Sequence, residues 1–399
     1  MLDDNLEKLI TNSEKIRNWI EMKRKINPIP IYGSVDIRDS GYKVGVVDSN
    51  HFPAGFNNID SSEIPRLSAL IRENIERTKE GVKHVHIFPE SHTRNPAYVE
   101  NLKSLKSILQ HAGYKVTVGS SNLSEFGSLD GLTEPLILDY VISDDKKVQV
   151  RDSGIPDLVL LNNDLTDGIP LELVNHSVVP DISMGWHTRR KSTHFRKMDE
   201  FIDEICELID IDSWLLKPIW MVSEDKCLEK EECLNKLVSD IDQLLFEIKK
   251  KYDEYGIKEK PCVYVKNDRG TYGLGIIIIE RGSQLIGLSK RKLHKLTYGK
   301  GGALAENFLI QEGIPTSLSY NDSPAEPVAY LVDGRPVSWF YRVNRKKTNI
   351  GNLNSPSAVF IKKNDFVKKN ADLRIEWHEL VAELSMLAMG SEKYIGSNK

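Results

Sequence analysis

Apolar residues follow a helical repeat at the start of the chain. Leu6, Leu9, Ile10, Ile16 and Ile20 lie roughly on one side of a helix predicted over residues 1–26. Asn27-Pro28 and Pro30 end it. From residue 31 to about 180 the pattern alternates short strands with helices. One helix begins at Asn95-Pro96, an N-cap followed by proline at the first helical position. It turns Leu102, Leu105, Ile108 and Leu109 inward and stops near Gly113. A strand over Tyr114–Val118 follows. Another, Asp157–Leu161, runs into the polar loop Asn162-Asn163-Asp164. Such alternation predicts α/β layering, and in these sheets ligands gather at the strand ends.

After Pro180 the pattern changes. Met198–Ile209 is helical in period, and Glu231–Tyr255 is a long amphipathic helix closed by Gly256. From Pro261 onward the chain turns β-rich, with strands expected over Cys262–Lys266, Leu274–Glu280, Phe308–Gln311, Pro327–Val332 and Val337–Val343. The last two flank a two-residue Asp333-Gly334 turn. The tail beyond Ser391 is expected to fray.

Composition narrows the function classes. At 399 residues the chain has room for two or three domains. With 40% hydrophobic and 28% charged residues it reads as an ordinary globular protein. Its net charge of −4 argues against nucleic acid as the main partner. No apolar run approaches the roughly 20 residues that span a bilayer, and the acidic start MLDDNLEKLI does not read as a secretory signal. Cys206, Cys227, Cys233 and Cys262 form no CxxC pair or zinc-like spacing, so they read as free thiols in a cytoplasmic protein.

Candidate chemistry is densest in VYVKNDRGTYGLGIIIIE, residues 263–280. A strand ending in Lys266 meets a turn with Gly270, Gly273 and Gly275, flanking Thr271 and Tyr272, before a second apolar strand. Glycines at this density admit positive φ and let backbone N–H groups approach an anion. A lysine before such a turn supplies a point charge for phosphate. The segment matches neither the Walker A spacing nor a dinucleotide turn, because a strand follows it. An ordinary glycine-rich hairpin is the competing reading. Around it lie Lys217 in LLKPIW, Gln311-Glu312 at a strand end, Glu326, Arg342 on the returning hairpin strand, and Asn349, Asn352 and Asn354.

A second group of polar segments lies towards the N-terminus. Residues 35–59 hold Asp36, Arg38, Lys43, Asp48, Asn50, Asn57 and Asn58; residues 87–96 hold Glu90, His92 and Arg94. Asn163 and Asp164 follow in LLNNDLTDG, then Trp186, Arg189, Arg190, Lys191 and His194 in GWHTRRKSTHF. Polar loops carrying both signs of charge suit a zwitterionic ligand, a carboxylate together with an ammonium. Each residue alone could equally be a solvated loop or a cap. His84 and His86 alternate on a strand and read as satisfied core-edge groups, and His378-Glu379 lacks the second histidine of a zincin.

The order lysine, strand, lysine, glycine loop, hinge acid, arginine hairpin, asparagine turn resembles the ATP-grasp nucleotide site over roughly residues 186–399. That resemblance implies ATP contacts from Lys217, Lys266, Gly270, Thr271, Tyr272, Gly273, Gln311 and Glu312. It implies Mg²⁺ held by Glu326 and Asn352, with Asn354 or water assisting, because Gly351 stands where such sites usually place an acid. Arg342, with Lys266 and Arg38, is the implied catalytic group. Across residues 36–356 the strings GYKVGVVDSNHFPAGFNN, PESHTRNPAYVE, NNDLTDGIP, GWHTRRKSTHF, VKNDRGTYGLGI and FYRVNRKKTNIGNLNSP resemble the proteobacterial and cyanobacterial type of glutamate–cysteine ligase.

What this family resemblance implies is an α/β chain with an N-terminal α/β substrate domain over 1–185 and an ATP-grasp-like α+β domain over 186–399. The expected reaction joins the γ-carboxylate of L-glutamate to the amine of L-cysteine through an acyl phosphate, with ATP and Mg²⁺. Asp48, Asn50, Asn57, Glu90, Arg94, Asn163, Asp164, Arg189, Arg190 and His194 are the expected amino-acid contacts. Another carboxylate–amine ligase, such as a glutathione synthetase, and a non-catalytic ATP or amino-acid sensor are the alternatives. Neither nucleic acid nor membrane is an expected partner, and homo-oligomer formation stays open.

Overall fold

The computed structural model describes residues 1–91, 95–144, 147–224, 228, 230–269, 275–297, 307–370 and 373–396. The first predicted helix is interrupted at Asn12 into α1 (Leu6–Thr11) and α2 (Ser13–Ile26). Strands β1 (Tyr32–Asp39) and β2 (Val44–Asn50) follow, then α3 (Ile64–Thr78), β3 (His84–Pro89), α4 (Pro96–His111) and β4 (Lys115–Val118). As expected, the Asn95 side chain caps α4, accepting from the backbone N–H of Ala97. Strands β5 (Leu158–Asn162) and β6 (Val178–Val179) complete a four-stranded sheet of order β6-β5-β3-β4, parallel throughout. Helices α3 and α4 bury Leu67, Ile71, Leu102 and Leu105 in the core this sheet shares with them.

Beyond α5 (Lys191–Ile209) the sheets are antiparallel. Strand β7 (Trp220–Ser223), helix α6 (Glu231–Glu254) and strands β8 (Val263–Asn267), β9 (Ile277–Ile279) and β10 (Phe308–Glu312) form a sheet of order β7-β10-β8-β9. The hairpin β11 (Ser323–Val332) and β12 (Arg335–Val343) turns at Asp333-Gly334, whose φ values of 52° and 70° are the two left-handed residues of a tight hairpin turn. Strand β13 (Val359–Lys362) pairs with β12.

The central sheet joins the two ends of the chain, in the order β13-β12-β11-β1-β2. It therefore takes strands from both sides of the expected 185/186 boundary. A side chain points to alternate faces along a strand, so each face has its own composition. Val35, Ile37, Ala329 and Leu331 enter the core containing α7 (Ile375–Gly396), while Ser34, Asp36, Arg38 and Arg342 border cavities on the other face. Helix α7 lies so close to β1 that a Cβ on Gly33 would come within 2.6 Å of Met386 Sδ. The tail expected to fray after Ser391 instead continues this helix to Gly396, with Glu392 buried. It is held by packing and by ion pairs that no local pattern announces.

Candidate functional site

The polar face of the central sheet carries an alternating row of charge. Glu326 on β11 lies opposite Arg342 on β12 and is buried. Arg342 Nη1 donates to Glu326 Oε1 at 2.6 Å and to Asp36 Oδ2 at 2.8 Å, and Nη2 reaches Asp36 Oδ1 at 3.2 Å. Arg38 closes the other side of Glu326 through Nε. Burial alone would raise the Glu326 pKa, but the charges of Arg38 and Arg342 outweigh it and hold the carboxyl below its usual range. At Asp36 burial wins, and its pKa is raised in spite of Arg342.

Arg38 has a second task. Its Nη1 and Nη2 donate to the carbonyls of Asn349 and Gly351 at 2.8 and 2.6 Å, fixing the turn that carries Asn352 and Asn354. All three of its nitrogens are thus engaged within the protein. The backbone at Gly351 is crowded as well: a Cβ there would lie 3.0 Å from Thr348 O. The acid expected beside Asn352 is absent, and Asp36 and Asp48 bring carboxylates to the same place from β1 and β2.

That place is a small cavity of about 40 Å³, bordered by Asp36, Arg38, Lys266, Glu326, Arg342 and Asn352, with Asp48 and Asn354. Lys266 reaches it from β8. Its Nζ donates to Val47 O at 2.9 Å and to the side-chain carbonyl of Gln311. Burial lowers the Lys266 pKa to about 7, although Asp48 pulls the other way. Next along β10, Glu312 is fully buried; its Oε2 accepts from Lys43 Nζ at 2.6 Å and from Ile219 N at 2.9 Å. Arg342 Nε, Gln311 Nε2 and Glu312 Oε1 are buried with no hydrogen-bond partner among the described residues. Lys217 is not part of this group: it pairs with Asp203 of α5 at 2.5 Å and borders neither cavity. Gly270, Thr271, Tyr272 and Gly273 lie outside the described residues.

Asp36, Asp48, Asn354 and Arg342 also border a larger cavity of about 630 Å³ between the central and parallel sheets. Glu90 after β3 and Asp164 after β5 border it, with Asn50 at the end of β2 and Asn57 in the segment that follows. A hydrogen-bond network sets these strand ends. Tyr98 Oη donates to Asn162 O at 2.7 Å and accepts from Glu90 N at 2.9 Å, and Asp164 N donates to Glu90 Oε1 at 2.8 Å. Phe52, Tyr330, Phe340 and Phe360 supply an apolar wall. Arg342 is the one cationic side chain among the described lining residues, against Asp36, Asp48, Glu90 and Asp164.

Several expected contacts fall elsewhere. Asn163 is turned to its own loop, donating to Pro89 O at 2.9 Å and accepting from Leu165 N. Arg189 and His194 are buried against Glu392, and Arg190 donates to the backbone of Thr188 and Arg189. None of these four borders either cavity. Arg94 lies outside the described residues. The site gains Asp36, Trp186 and Asn162, which stand in the polar segments picked out from the sequence but not among the expected contacts. For Asp36 a signal existed, since it stands two positions from Arg38 on one strand and so shares its face.

The oxygen donors around the small cavity, the carboxylates of Asp36, Asp48 and Glu326 and the amides of Asn352 and Asn354, are the hard ligands that Mg²⁺ accepts. Among the described residues no three acids, histidines or cysteines form a metal cage by themselves. An ion that usually keeps waters and shares its coordination with phosphate oxygens does not need one.

Comparison with known proteins places the chain as a whole. A protein-family model described as glutamate-cysteine ligase covers residues 7–393. The crystal structure of a "putative gamma-glutamylcysteine synthetase" from Methylobacillus flagellatus KT is similar at TM-score 0.89 and 31% identity, over 97% of this chain and 95% of that one. D-alanyl-alanine synthetase A from Vibrio cholerae aligns over 75% of this chain and 78% of that one, but at TM-score 0.37 and 10% identity, too slight a likeness to argue from. No curated protein matches. On the span of that family model and the agreement with the Methylobacillus structure, the chain belongs to the glutamate-cysteine ligase family.

Proposed function

We propose that the two adjoining cavities divide one ATP-dependent ligation between them. The large cavity takes L-glutamate and L-cysteine, and the small one takes the phosphoryl end of ATP. The terminal phosphoryl group passes to the γ-carboxylate of glutamate, releasing ADP. The cysteine amine then adds to the acyl carbon, the bond to phosphate breaks, and γ-glutamylcysteine and phosphate form with loss of the amine proton. The observation that carries this reading is the row Asp36–Arg342–Glu326–Arg38, which borders both cavities through Asp36 and Arg342. The nucleotide site is ATP-grasp-like in this reading, within a domain division near residue 185 that the shared central sheet bridges.

The roles follow from charge and position. Arg342, held between two carboxylates, stabilises the negative charge that develops as the phosphoryl group moves. Lys266 faces the phosphates with the Gln311 side chain beside it, while Glu312, next along β10, is held by Lys43 and Ile219, and neither Gln311 nor Glu312 borders a cavity. Arg38 is a positioning residue: it holds Glu326 and the Asn349–Gly351 turn. Glu326, Asn352 and Asn354, with Asp36 or Asp48, would hold Mg²⁺, which neutralises phosphate charge when bound. Glu90 and Asp164 suit the ammonium groups of the substrates, and the aromatic wall their apolar parts. Alignment of two bound reactants can supply about 7–11 kcal/mol of the barrier. No helix among the described residues is long and apolar enough to cross a membrane, and in this reading the protein works in the cytoplasm.

Phosphate release from ATP tests the reading. It is expected to require L-glutamate and L-cysteine together, with γ-glutamylcysteine as product by mass. Release with γ-glutamylcysteine plus glycine instead would transfer the chain to the second ligation chemistry, and nucleotide binding without any turnover would reduce it to a sensor.

A further inference from the structure

Behind the wall of the large cavity lies a buried ionic cluster that borders neither cavity. Glu392, near the end of α7, receives the Arg189 guanidinium side-on: Nε to Oε2 at 2.7 Å and Nη2 to Oε1 at 3.1 Å. His194 Nδ1 lies 2.8 Å from Glu392 Oε1, and His51 Nε2 lies 3.4 Å from Oε2. The free edge of Arg189 faces β2. Its Nη1 donates to Ser49 O and its Nη2 to Ser49 Oγ, both at 2.7 Å. The guanidinium also stacks over the Trp186 ring, 4.7 Å from its centroid. Asp48, Ser49, Asn50 and Trp186 all border the large cavity.

We propose that Glu392 is a positioning residue of the amino-acid cavity, acting through Arg189 on the Asp48–Asn50 end of β2 and on Trp186. A bidentate carboxylate fixes both the plane and the direction of a guanidinium. With Glu392 in place, Arg189 is aimed at the Ser49 carbonyl and its charge is matched. Without that carboxylate a buried cation is left seeking an anion, and Asp48, whose charge already feels Arg189, is at hand. Asp48 would then be drawn from Lys191, which it now meets at 2.5 Å, and the wall of the cavity would shift. The last helix of the chain thereby becomes part of the site without touching substrate. Burial tends to neutralise Glu392, but Arg189 and the histidines hold its pKa well below the usual range, so the clamp stays charged. Burial lowers His51 to about 4, leaving that ring neutral.

The proposal rests on the ligase reading, and the test separates the two. Steady-state turnover of wild type, Glu392→Gln, Glu392→Asp and Arg189→Lys is compared, with circular dichroism and melting curves for each. Glu392→Gln is expected to raise KM for at least one amino acid about tenfold or more, with KM for ATP within about twofold, the scale set by one lost charged contact. Glu392→Asp, which keeps the charge, should recover part of the loss. Arg189→Lys, which loses the planar fork, should repeat the KM shift. Unchanged amino-acid KM in folded Glu392→Gln or folded Arg189→Lys overturns the proposal, as does an equal loss for ATP. A wild-type protein without turnover would count against the ligase reading alone. Calorimetric titration with L-glutamate would then decide the cluster's role, equal affinity in wild type and Glu392→Gln overturning it.

Discussion

The two sheets that enclose the large cavity hold their polar residues in different ways. The parallel sheet offers them at the ends of its strands, where Glu90 follows β3 and Asp164 follows β5. There the chain is set by neutral hydrogen bonds through Tyr98, Asn101 and Asn162. The central sheet offers them along one face, in strand interiors, where Arg38 and Arg342 are balanced by Glu326 and Asp36. Strand-end loops can adjust to a ligand more readily, because they are held by hydrogen bonds to backbone, hydroxyl and amide groups and by the Asp164 N–H on Glu90, not by a row of mutually dependent ion pairs. A row of buried charges cannot, since moving one member exposes the next to an unpaired charge. The division suits the reaction: recognition tolerates adjustment, whereas stabilising a developing charge needs dipoles fixed beforehand.

The largest expected effect lies on the central sheet. Arg342→Ala should lower kcat by about 10²–10³, the scale for losing one preorganised partner of a developing charge. It should also destabilise the fold by about 3–5 kcal/mol, because Asp36 and Glu326 lose a buried partner. Arg342→Lys keeps the charge without the fork that meets two carboxylates, so it should restore much of the stability and less of the turnover. Rates and denaturant midpoints measured on both variants check this. Turnover within threefold of wild type in Arg342→Ala would break the contrast between the sheets.

A strand-end change should act on binding. Glu90→Gln keeps an acceptor for Asp164 N–H but removes a charge from the cavity, and should raise an amino-acid KM about tenfold, near the 1.5–3 kcal/mol of a charge-assisted hydrogen bond. Its kcat and melting temperature should stay close to wild type. A drop in kcat as large as that of Arg342→Ala would show that both sheets serve the chemical step.

This contrast also governs what could be read from the sequence. The parallel half was legible, since strand, polar loop and capped helix are local signals. The predictions for α4, β4 and β5 hold to within a residue or two. The β11–β12 hairpin was equally plain from its Asp-Gly turn. The central sheet was not, because β1 meets β11 across almost the whole chain, and pairing at that distance leaves no mark on neighbouring residues. Helix α7 escaped for a related reason: buried on most sides, it lacks the one-sided stripe by which a surface helix is recognised. Residue type alone could not separate cavity-lining charges from supporting ones. Lys217 and Arg189 resemble phosphate or carboxylate ligands until Asp203 and Glu392 are seen beside them. Asp36 was within reach through its period-two relation to Arg38.

The smallest predicted signal comes from the seam where β8 meets the polar face of the central sheet. Burial places the Lys266 pKa at about 7, so in the free protein its charge is present below that pH and lost as pH rises through it. A bound phosphate favours the ammonium and raises this pKa, so nucleotide binding must take up a proton wherever the free lysine is neutral. At pH 6 little uptake is expected; at pH 8 most of one proton should be taken up. Apparent affinity should then fall by up to about tenfold per pH unit above 7, the linkage limit for a single group. Calorimetry with a non-hydrolysable ATP analogue and Mg²⁺, in buffers of different ionisation enthalpy, measures the uptake directly. Lys266→Arg, charged throughout this range, is the control and should abolish the pH-dependent part. Equal uptake in wild type and Lys266→Arg would take the proton away from Lys266. The seam would then be as rigidly charged as the sheet face beside it, and the pH response would have to originate on the strand-end side of the cavity.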